Sequence, residues 1–392
     1  MTPFAFVTVP RIVFGPGCFA RVGEFAPQLG PRVLAVVSGS ATAAGRLAEL
    51  ADLLQAVGTA VVSTTQRGEP TVESVDVAAD LARRERCTGV VGLGGGSAID
   101  AAKAVAALLT NGGGALDYME VVGAGRKITR PAAPWIAIPT TAGTGAEVTR
   151  NAVIAYPPKH FKASIRSEQL LASAAVVDAQ LSAGAPPAVT AASGMDALCQ
   201  LIESATSTGA NPMTDALALE GIRLAGRCLP RAYRDGSDAD AREGLALAAL
   251  WSRMTLTNAG LGAVHGLAAP LGANFPAPHG AVCAALLAGV MRANVAGLRA
   301  ESPAHPALAR YACVGRALMD QPRMPDEQAV DAGIECVAAL AAELKIPSLG
   351  RFGISAADIP AMVALAAKSS SMRYNPVDLS EAVLCEVLTG AM

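Results

Sequence analysis

The 392-residue sequence has few charged residues and no long uninterrupted apolar run. Charged side chains make up 16 % of it and the formal net charge is −2, which excludes the basic surface typical of nucleic-acid-binding proteins. Hydrophobic residues reach 52 %, but Gly, Pro or a charge interrupts each apolar stretch before the ~18 positions that a membrane-spanning helix needs. We therefore expect a soluble protein whose partner is a small molecule.

The sequence also lacks the features of an exported protein. Its start, MTPFAFVTVPRIVFGPG, has no basic segment followed by an apolar core and a small-residue cleavage site. The eight cysteines are scattered, without a CxxC pair, as expected of buried thiols in a reducing compartment. These absences predict a cytoplasmic protein without disulfides or a structural zinc site.

Length and pattern predict two domains, because 392 residues exceed the size at which one hydrophobic core keeps growing. Up to about residue 180, short β-branched runs alternate with segments of helical period, which predicts βα units around a parallel sheet. After the Ala-, Pro-, Ser- and Gly-rich segment 181–194, long Ala/Leu segments predict a helical bundle. We place an α/β dinucleotide-binding domain at residues 1–182 and an all-α domain at residues 183–392.

Within the first domain the pattern predicts strands, crossover helices and one hairpin on the sheet's edge. The strands are 33–37, 60–63, 89–93 and 135–139, the helices 42–57 and 71–86, and the hairpin 151–156 with 162–167. The apolar segment 4–15 predicts either an edge strand or a strand that pairs across a dimer. In the second domain helices are predicted near 187–206, 211–234, 239–260, 281–297, 326–344 and 379–390.

A glycine-rich loop follows the third predicted strand. Gly94, Gly95, Gly96 and Ser97 lead from that strand into a helix, and such a loop lets the backbone and the helix N-terminus approach a pyrophosphate. The GxGxxG fingerprint is incomplete, since Ser97 stands at its last glycine. An ordinary βα turn is therefore an equal alternative for the loop taken alone.

Two further segments favour a dinucleotide site. PTTAGTGAE (139–147) also follows a strand, so two loops would meet at the carboxyl edge of one sheet, where open α/β sheets bind ligands. The first strand ends at Ser38, with no carboxylate nearby to hold the adenosine ribose. We therefore expect NADP(H) at least as readily as NAD(H).

A set of distant residues has the chemistry of a metal site. Asp196 and Gln200 share one helical face, and His265 and His279 are two of only four histidines. A carboxylate with two imidazoles holds a divalent first-row metal and leaves positions open for substrate, and the Gln200 amide can add a carbonyl oxygen. By spacing alone, a helix cap and hydrogen-bonded structural histidines are the more frequent explanation.

Taken in order, six motifs resemble the iron-containing (group III) alcohol dehydrogenase family over essentially the whole chain. They are GEPT (68–71), GGGSAIDAAK (94–103), PTTAGTGAEVT (139–149), GMDALCQLIE (194–203), GAVHGLAAPLG (262–272) and PHG (278–280). The resemblance implies an N-terminal dinucleotide-binding α/β domain, a C-terminal helical domain and a catalytic metal between them, Fe2+ or Zn2+. We also expect a homodimer.

The resemblance assigns roles residue by residue. With Ser38 and Gly94, the cofactor residues are Gly95, Gly96, Ser97, Asp100, Thr140, Thr141, Thr144, Asn151 and Lys162. The metal shell is Asp196, Gln200, His265 and His279, in which Asp196, His265 and His279 are the catalytic set. Two positions depart from the family pattern: Gln200 replaces a histidine ligand, and Ala269 stands where many members carry a proton-relaying histidine.

The expected reaction is NAD(P)H-dependent reduction of a small aldehyde to the alcohol, or the reverse, assisted by a Lewis-acidic metal. Arg150, Arg166, Lys368 and Arg373 suit an anionic substrate such as a phosphono- or carboxy-aldehyde, with ordinary surface cations as an equal alternative. Three other functions stay open: a metal-free reductase similar to maleylacetate reductases, a lyase similar to dehydroquinate synthase that uses NAD transiently, and a non-catalytic binding protein.

Overall fold

The computed structural model describes residues 3–141, 145–159 and 161–392, and the chain divides into two compact units. The α/β unit is Thr8–Ser182, and the helical unit is Ala183–Met392 together with residues 3–7. Residues 3–7 thus belong to the helical unit, whereas the sequence analysis placed them in the α/β domain at residues 1–182. They are held by Asn258, whose Oδ1 accepts from the Val7 N–H at 2.6 Å and whose Nδ2 donates to the Val7 carbonyl at 2.9 Å.

The α/β unit contains a six-stranded parallel sheet, which confirms the predicted fold class. The strands of the sheet are β1 Ile12–Phe14, β2 Arg32–Ser38, β3 Ala60–Gln66, β4 Gly89–Gly94, β5 Trp135–Pro139 and β8 Ala174–Val177. The remaining two strands, β6 Asn151–Tyr156 and β7 Phe161–Arg166, form a hairpin. The sheet order is β1-β8-β5-β4-β2-β3. The N-terminal apolar segment therefore supplies an edge strand, since β1 pairs in parallel with β8.

The hairpin was predicted correctly but its place was not. β6 and β7 pair antiparallel as a separate two-stranded sheet, whereas β1 and β3 form the edges of the main sheet. The hairpin is attached to the loop before a helix instead, because the Ala155 N–H donates to the Pro70 carbonyl at 2.8 Å. Local alternation in the sequence specifies a hairpin but not the partner of its outer edges.

Helices cover both faces of the sheet. They are α1 Ala26–Leu29, α2 Gly39–Ala43, α3 Arg46–Gln55, α4 Val72–Arg84, α5 Gly96–Asn111 and α6 Ala115–Tyr118. On one face, alternate residues of β2 pack with Leu50 and Leu54 of α3. On the other, Gly92 of β4 allows α5 to approach so closely that a Cβ there would lie 2.8 Å from that of Ala102. Side chains of alternate strand positions thus fill two layers of core.

The helical unit contains nine α-helices among its described residues. They are α7 Pro187–Thr206, α8 Pro212–Arg234, α9 Ala239–Ala259, α10 Ala263–Asn274, α11 His279–Glu301, α12 Pro306–Met319, α13 Asp326–Glu343, α14 Ile359–Ala366 and α15 Glu381–Gly390. The sequence did not predict α10, α12 and α14. α10 contains Pro270 and several glycines, which weaken the helical signal.

One helix, α11, is long and apolar enough to cross a membrane by length and composition alone. However, 67 % of its most apolar window is buried inside the protein. Leu286, Leu287 and Val290 are among its fully or almost fully buried side chains. The apolar surface of α11 is thus used in packing within the helical unit.

Helices α12 and α13 cross closely where Gly315 of α12 meets Gly333 of α13. A Cβ at Gly315 would overlap the carbonyl oxygen of Ala329, so Gly315→Ala should lower the free energy of unfolding by about 1–3 kcal/mol. Gly226→Ala in α8 is the matched control, because its Cβ would meet nothing nearer than 3.5 Å and alanine favours a helix. Urea unfolding of both variants measures the effect. Equal stability of Gly315→Ala and wild type would contradict the close crossing.

Candidate active site

Three of the predicted ligands meet in the helical unit. Asp196 lies on α7, His265 on α10 and His279 at the first position of α11. Asp196 Oδ1 is 3.4 Å from His265 Nε2 and 3.9 Å from His279 Nε2. Asp196 and His265 are buried, whereas the His279 side chain is 47 % exposed, so the cluster is open on the side of His279.

The oxygen at the centre of this cluster fits a metal. Asp196 Oδ1 is buried, and within the described part of the chain no hydrogen-bond donor meets it, an arrangement that costs free energy unless a cation binds. Burial alone would raise the pKa of Asp196, but the rings of His265 and His279 and the Arg253 guanidinium outweigh it and hold that pKa below its usual value. The carboxylate is therefore ionised and available as a ligand for a divalent metal.

Glu203, which the sequence reasoning missed, fixes the orientation of His265. Its Oε2 lies 2.6 Å from His265 Nδ1, and its Oε1 accepts from the Val264 N–H at 2.7 Å. A carboxylate at Nδ1 keeps the proton there and leaves the Nε2 lone pair for a metal. The signal was present in the sequence, because Glu203 follows Asp196 by seven residues on the same helical face.

Gln200, the predicted fourth ligand, is fully buried and its amide oxygen has another partner. The Ser252 hydroxyl lies 2.8 Å from Gln200 Oε1 and also 2.8 Å from the Ala249 carbonyl oxygen. Gln200 Nε2 has no hydrogen-bond partner among the described residues. In this arrangement the amide oxygen of Gln200 is engaged by the Ser252 hydroxyl.

Two buried cysteines flank His265. Cys283 Sγ is 3.6 Å from His279 Nε2 and 3.9 Å from His265 Nε2, and Cys199 Sγ is 3.8 Å from His265 Nδ1. Burial would raise the pKa of the Cys283 thiol, but a hydrogen bond with Cys199 and the two imidazoles lower it, whereas burial raises the pKa of Cys199. Sequence reasoning took both cysteines for inert core residues.

In the α/β unit, the predicted phosphate loop lies where the direction of the sheet reverses. β2 is followed by β3 on one side and β4 by β5 on the other, which is the position where open α/β sheets bind ligands. Gly94 has φ +153°, and a Cβ there would lie 2.7 Å from that of Ser38. The Thr140 N–H donates to the Gly94 carbonyl at 3.0 Å. Ser38, the glycine loop and Thr140 are thus neighbours.

The start of α5 completes this phosphate-binding geometry. The helix begins at Gly96, and Gly95, its N-cap, has no side chain to satisfy the first N–H groups. A Cβ added at Gly95 would lie 3.5 Å from Thr141 Oγ1. Ser97 is the second residue of the helix, and Thr144 lies outside the described residues. An anion bound here would meet free N–H groups and the positive end of the helix dipole.

Three other predicted cofactor residues are engaged with protein atoms. Asp100 Oδ2 accepts from the Val153 N–H at 3.3 Å, the Asn151 carbonyl accepts from Lys103 Nζ at 2.7 Å, and Lys162 Nζ lies 2.7 Å from Glu69 Oε2. These contacts hold the hairpin against α5 and against the loop before α4. The roles of Asp100, Asn151 and Lys162 toward a cofactor stay predictions.

The four candidate substrate residues separate into two groups. Arg150 and Arg166 form exposed ion pairs, at 3.2 Å with Glu168 and 3.4 Å with Glu120, which is the ordinary surface role. Lys368 and Arg373 belong to the helical unit and are exposed.

The segment that carries Lys368 and Arg373 lies beside the helix of His265. A Cβ at Gly266 would overlap the Met372 side chain, and Asn375 Oδ1 accepts from the Ala263 N–H at 3.1 Å. This segment is therefore held against the N-terminal half of α10. Of the four candidates, Lys368 and Arg373 are the ones whose segment packs against the helix that carries His265.

Replacement of the Glu203 carboxylate should weaken metal binding. In Glu203→Gln, the amide N–H2 faces His265 Nδ1 and favours the tautomer whose proton occupies Nε2. Zn2+ or Co2+ affinity, measured by competition with a chromophoric chelator, should fall about 10- to 100-fold. Glu301→Gln is the matched control, because the exposed Glu301 likewise pairs with a histidine, His305, at 3.7 Å. An unchanged affinity in Glu203→Gln would rule out the positioning role.

Comparison with known proteins identifies the family of the chain. Residues 10–179 match the family model for iron-containing alcohol dehydrogenase, and residues 190–392 match the C-terminal model of the same family. Alcohol dehydrogenase 4 of Schizosaccharomyces pombe is 33 % identical over 383 residues, which cover 97 % of this chain and 87 % of the relative.

Solved structures give the same result. A 1,3-propanediol oxidoreductase superposes with a TM-score of 0.92 at 31 % identity, with both chains fully covered. The sulfoacetaldehyde reductase of Bifidobacterium kashiwanohense, solved with NAD+, superposes with a TM-score of 0.88 at 26 % identity over 100 % of this chain and 99 % of that one. The chain therefore belongs to the iron-containing alcohol dehydrogenase family and is an oxidoreductase.

Proposed function

We propose that the protein reduces a small aldehyde to the alcohol with NADH or NADPH, or catalyses the reverse, with a divalent metal held by Asp196, His265 and His279. One observation carries the proposal: the buried Oδ1 of Asp196 has no hydrogen-bond donor in the described structure and lies within 4 Å of two imidazole nitrogens. A carboxylate with two imidazoles is a suitable donor set for Fe2+ or Zn2+.

Each part of the chain has a defined task in this reaction. The metal, when bound, supplies Lewis-acid polarisation of the substrate carbonyl. Asp196 provides the negative charge of the site. The Glu203 carboxylate holds the proton of His265 on Nδ1 and so leaves the Nε2 lone pair for the metal. The glycine loop at the start of α5 would hold the pyrophosphate of the nicotinamide cofactor, which would supply or accept the hydride.

The proton that completes the alcohol has no side-chain relay at Ala269. Ala269 is exposed, one helical turn after His265, and carries no titratable group. Water, or the ribose hydroxyls of the cofactor, supplies the proton instead. The absence of a carboxylate after Ser38 in the sequence supports the use of NADPH at least as well as NADH.

Metal removal tests the proposal. After chelator treatment, oxidation of NADPH or NADH with a short aldehyde should slow by at least about 100-fold, equivalent to about 2.7 kcal/mol of lost transition-state stabilisation. Fe2+ or Zn2+ should restore the rate in wild type but not in Asp196→Asn, whose amide cannot replace the carboxylate.

Other outcomes would assign another function. Full activity after metal removal would establish a metal-free reductase, an alternative that one contact supports: Arg253 Nη2 lies 3.5 Å from Asp196 Oδ2 and brings a permanent positive charge to the site. Turnover of a substrate without net consumption of the nicotinamide would identify a lyase. Cofactor binding without turnover of any aldehyde would identify a binding protein.

We further propose that the substrate is a short aldehyde with an anionic group. Two facts support this. The similar protein from Bifidobacterium is described as a reductase of sulfoacetaldehyde, and Lys368 and Arg373 lie in the segment packed against α10. The Arg373 guanidinium rests 4.9 Å above the centre of the Tyr374 ring, a stacking that restricts its motion and leaves its N–H groups at the edge for an anion.

Removal of the Arg373 charge should distinguish anionic from neutral substrates. Arg373→Ala should raise KM for a sulfonated or phosphonated two-carbon aldehyde about tenfold or more, as expected for one lost charged hydrogen bond, without changing KM for propionaldehyde. Arg299→Ala is the control, since Arg299 pairs with Asp331 at 3.2 Å on the surface. Equal KM changes for both aldehydes would remove the anionic substrate and leave the dehydrogenase proposal intact.

A further inference from the structure

Cys283 is arranged around the same centre as the three expected ligands. One donor atom each from Asp196, His265, His279 and Cys283 lies within 4.8 Å of every other. His279 and Cys283 are one turn apart on α11 and project from one helical face. Cys283 is fully buried, so its sulfur occupies the inner side of the cluster, opposite the exposed part of His279.

The four donor atoms have the spacing of a metal's coordination shell. In a tetrahedral site with metal–nitrogen bonds of about 2.0 Å and metal–sulfur bonds of about 2.3 Å, neighbouring ligand atoms are roughly 3.3–3.8 Å apart. Asp196 Oδ1 is 3.4 Å from His265 Nε2 and 3.9 Å from His279 Nε2. Cys283 Sγ is 3.9 Å from His265 Nε2 and 3.6 Å from His279 Nε2. Small side-chain adjustments suffice to close this shell.

The sequence departure at Gln200 removes one imidazole from the expected set. In the structure its amide oxygen is next to the Ser252 hydroxyl, and a neutral amide is in any case a weaker ligand than a thiolate for zinc and cobalt. Cys283 supplies a donor from another helix where the histidine is missing.

We infer that the Cys283 sulfur is the fourth metal ligand of this protein, where the family pattern would have a third histidine. The ligand set is then one carboxylate, two imidazoles and one thiolate. The open side at His279 leaves a fifth position for the substrate oxygen. The inference rests on the metal of the proposed function and concerns which atoms hold it. A thiolate also moves the metal preference from Fe2+ toward Zn2+ and Co2+.

Cobalt spectroscopy tests the inference without using activity. Metal-free protein titrated with Co2+ should develop a near-ultraviolet absorption band of thiolate-to-cobalt charge transfer. Cys283→Ala should lose this band and bind Co2+ at least about 100-fold more weakly, since loss of groups that merely support ligands already costs 10- to 100-fold. Cys199→Ala is the matched control, a buried cysteine beside the opposite nitrogen of His265, and it should keep both band and affinity.

If Cys283→Ala misfolds, Cys283→Ser, which nearly keeps the side-chain volume, takes its place and should likewise lose the charge-transfer band. The double variant Cys283→Ala/Gln200→His should regain Co2+ affinity through the added imidazole but still lack the charge-transfer band. Circular dichroism of the metal-free proteins checks that each variant is folded.

Three results would overturn the inference. They are Co2+ binding by wild type without a thiolate band, a band that survives Cys283→Ala but not Cys199→Ala, and a larger loss of affinity in Gln200→Ala than in Cys283→Ala. The proposed function fails separately, through aldehyde reduction that is independent of metal.

Discussion

The site depends on a carboxylate that has been placed inside a helix bundle. Asp196 is 3 % exposed, and an ionised group at that depth is stable only where positive charge or hydrogen-bond donors surround it. His265, His279 and Arg253 surround this one, but none donates to Oδ1 within the described structure. A divalent cation would therefore satisfy this buried carboxylate oxygen better than any neutral ligand.

The parts of the structure that local pattern controls were predictable. β-branched runs between helical segments specified the strands β2, β3, β4 and β5 to within a few residues. β8 is only four residues long, too short for periodicity to detect, and the three-residue edge strand β1 was predicted only as one of two alternatives for segment 4–15. α10 was missed because its glycines and Pro270 weaken the helical pattern of the sequence. The close packing of this helix on Met372 nevertheless requires glycine at position 266.

The candidate site was predictable in its residue types but not in its geometry. Asp196, His265 and His279 were identified through their motifs, whereas Cys283 looked like one more core cysteine, since its relation to His265 exists only once α10 and α11 pack together. Sequence reasoning placed Lys103 on the helix after the glycine loop but assigned it no role. Its buried ammonium donates to Ala146, Thr149 and Asn151, so the helix that would receive the phosphate also holds the base of the hairpin.

The hydrogen bonds between Val7 and Asn258 join residues that are 251 positions apart. In the sequence, the α/β unit lies between the two segments that make up the helical unit. Asn258 is synthesised only after the whole α/β unit, and domains generally fold as they emerge from the ribosome. We therefore expect Val7 to find its partner only after the α/β unit has folded.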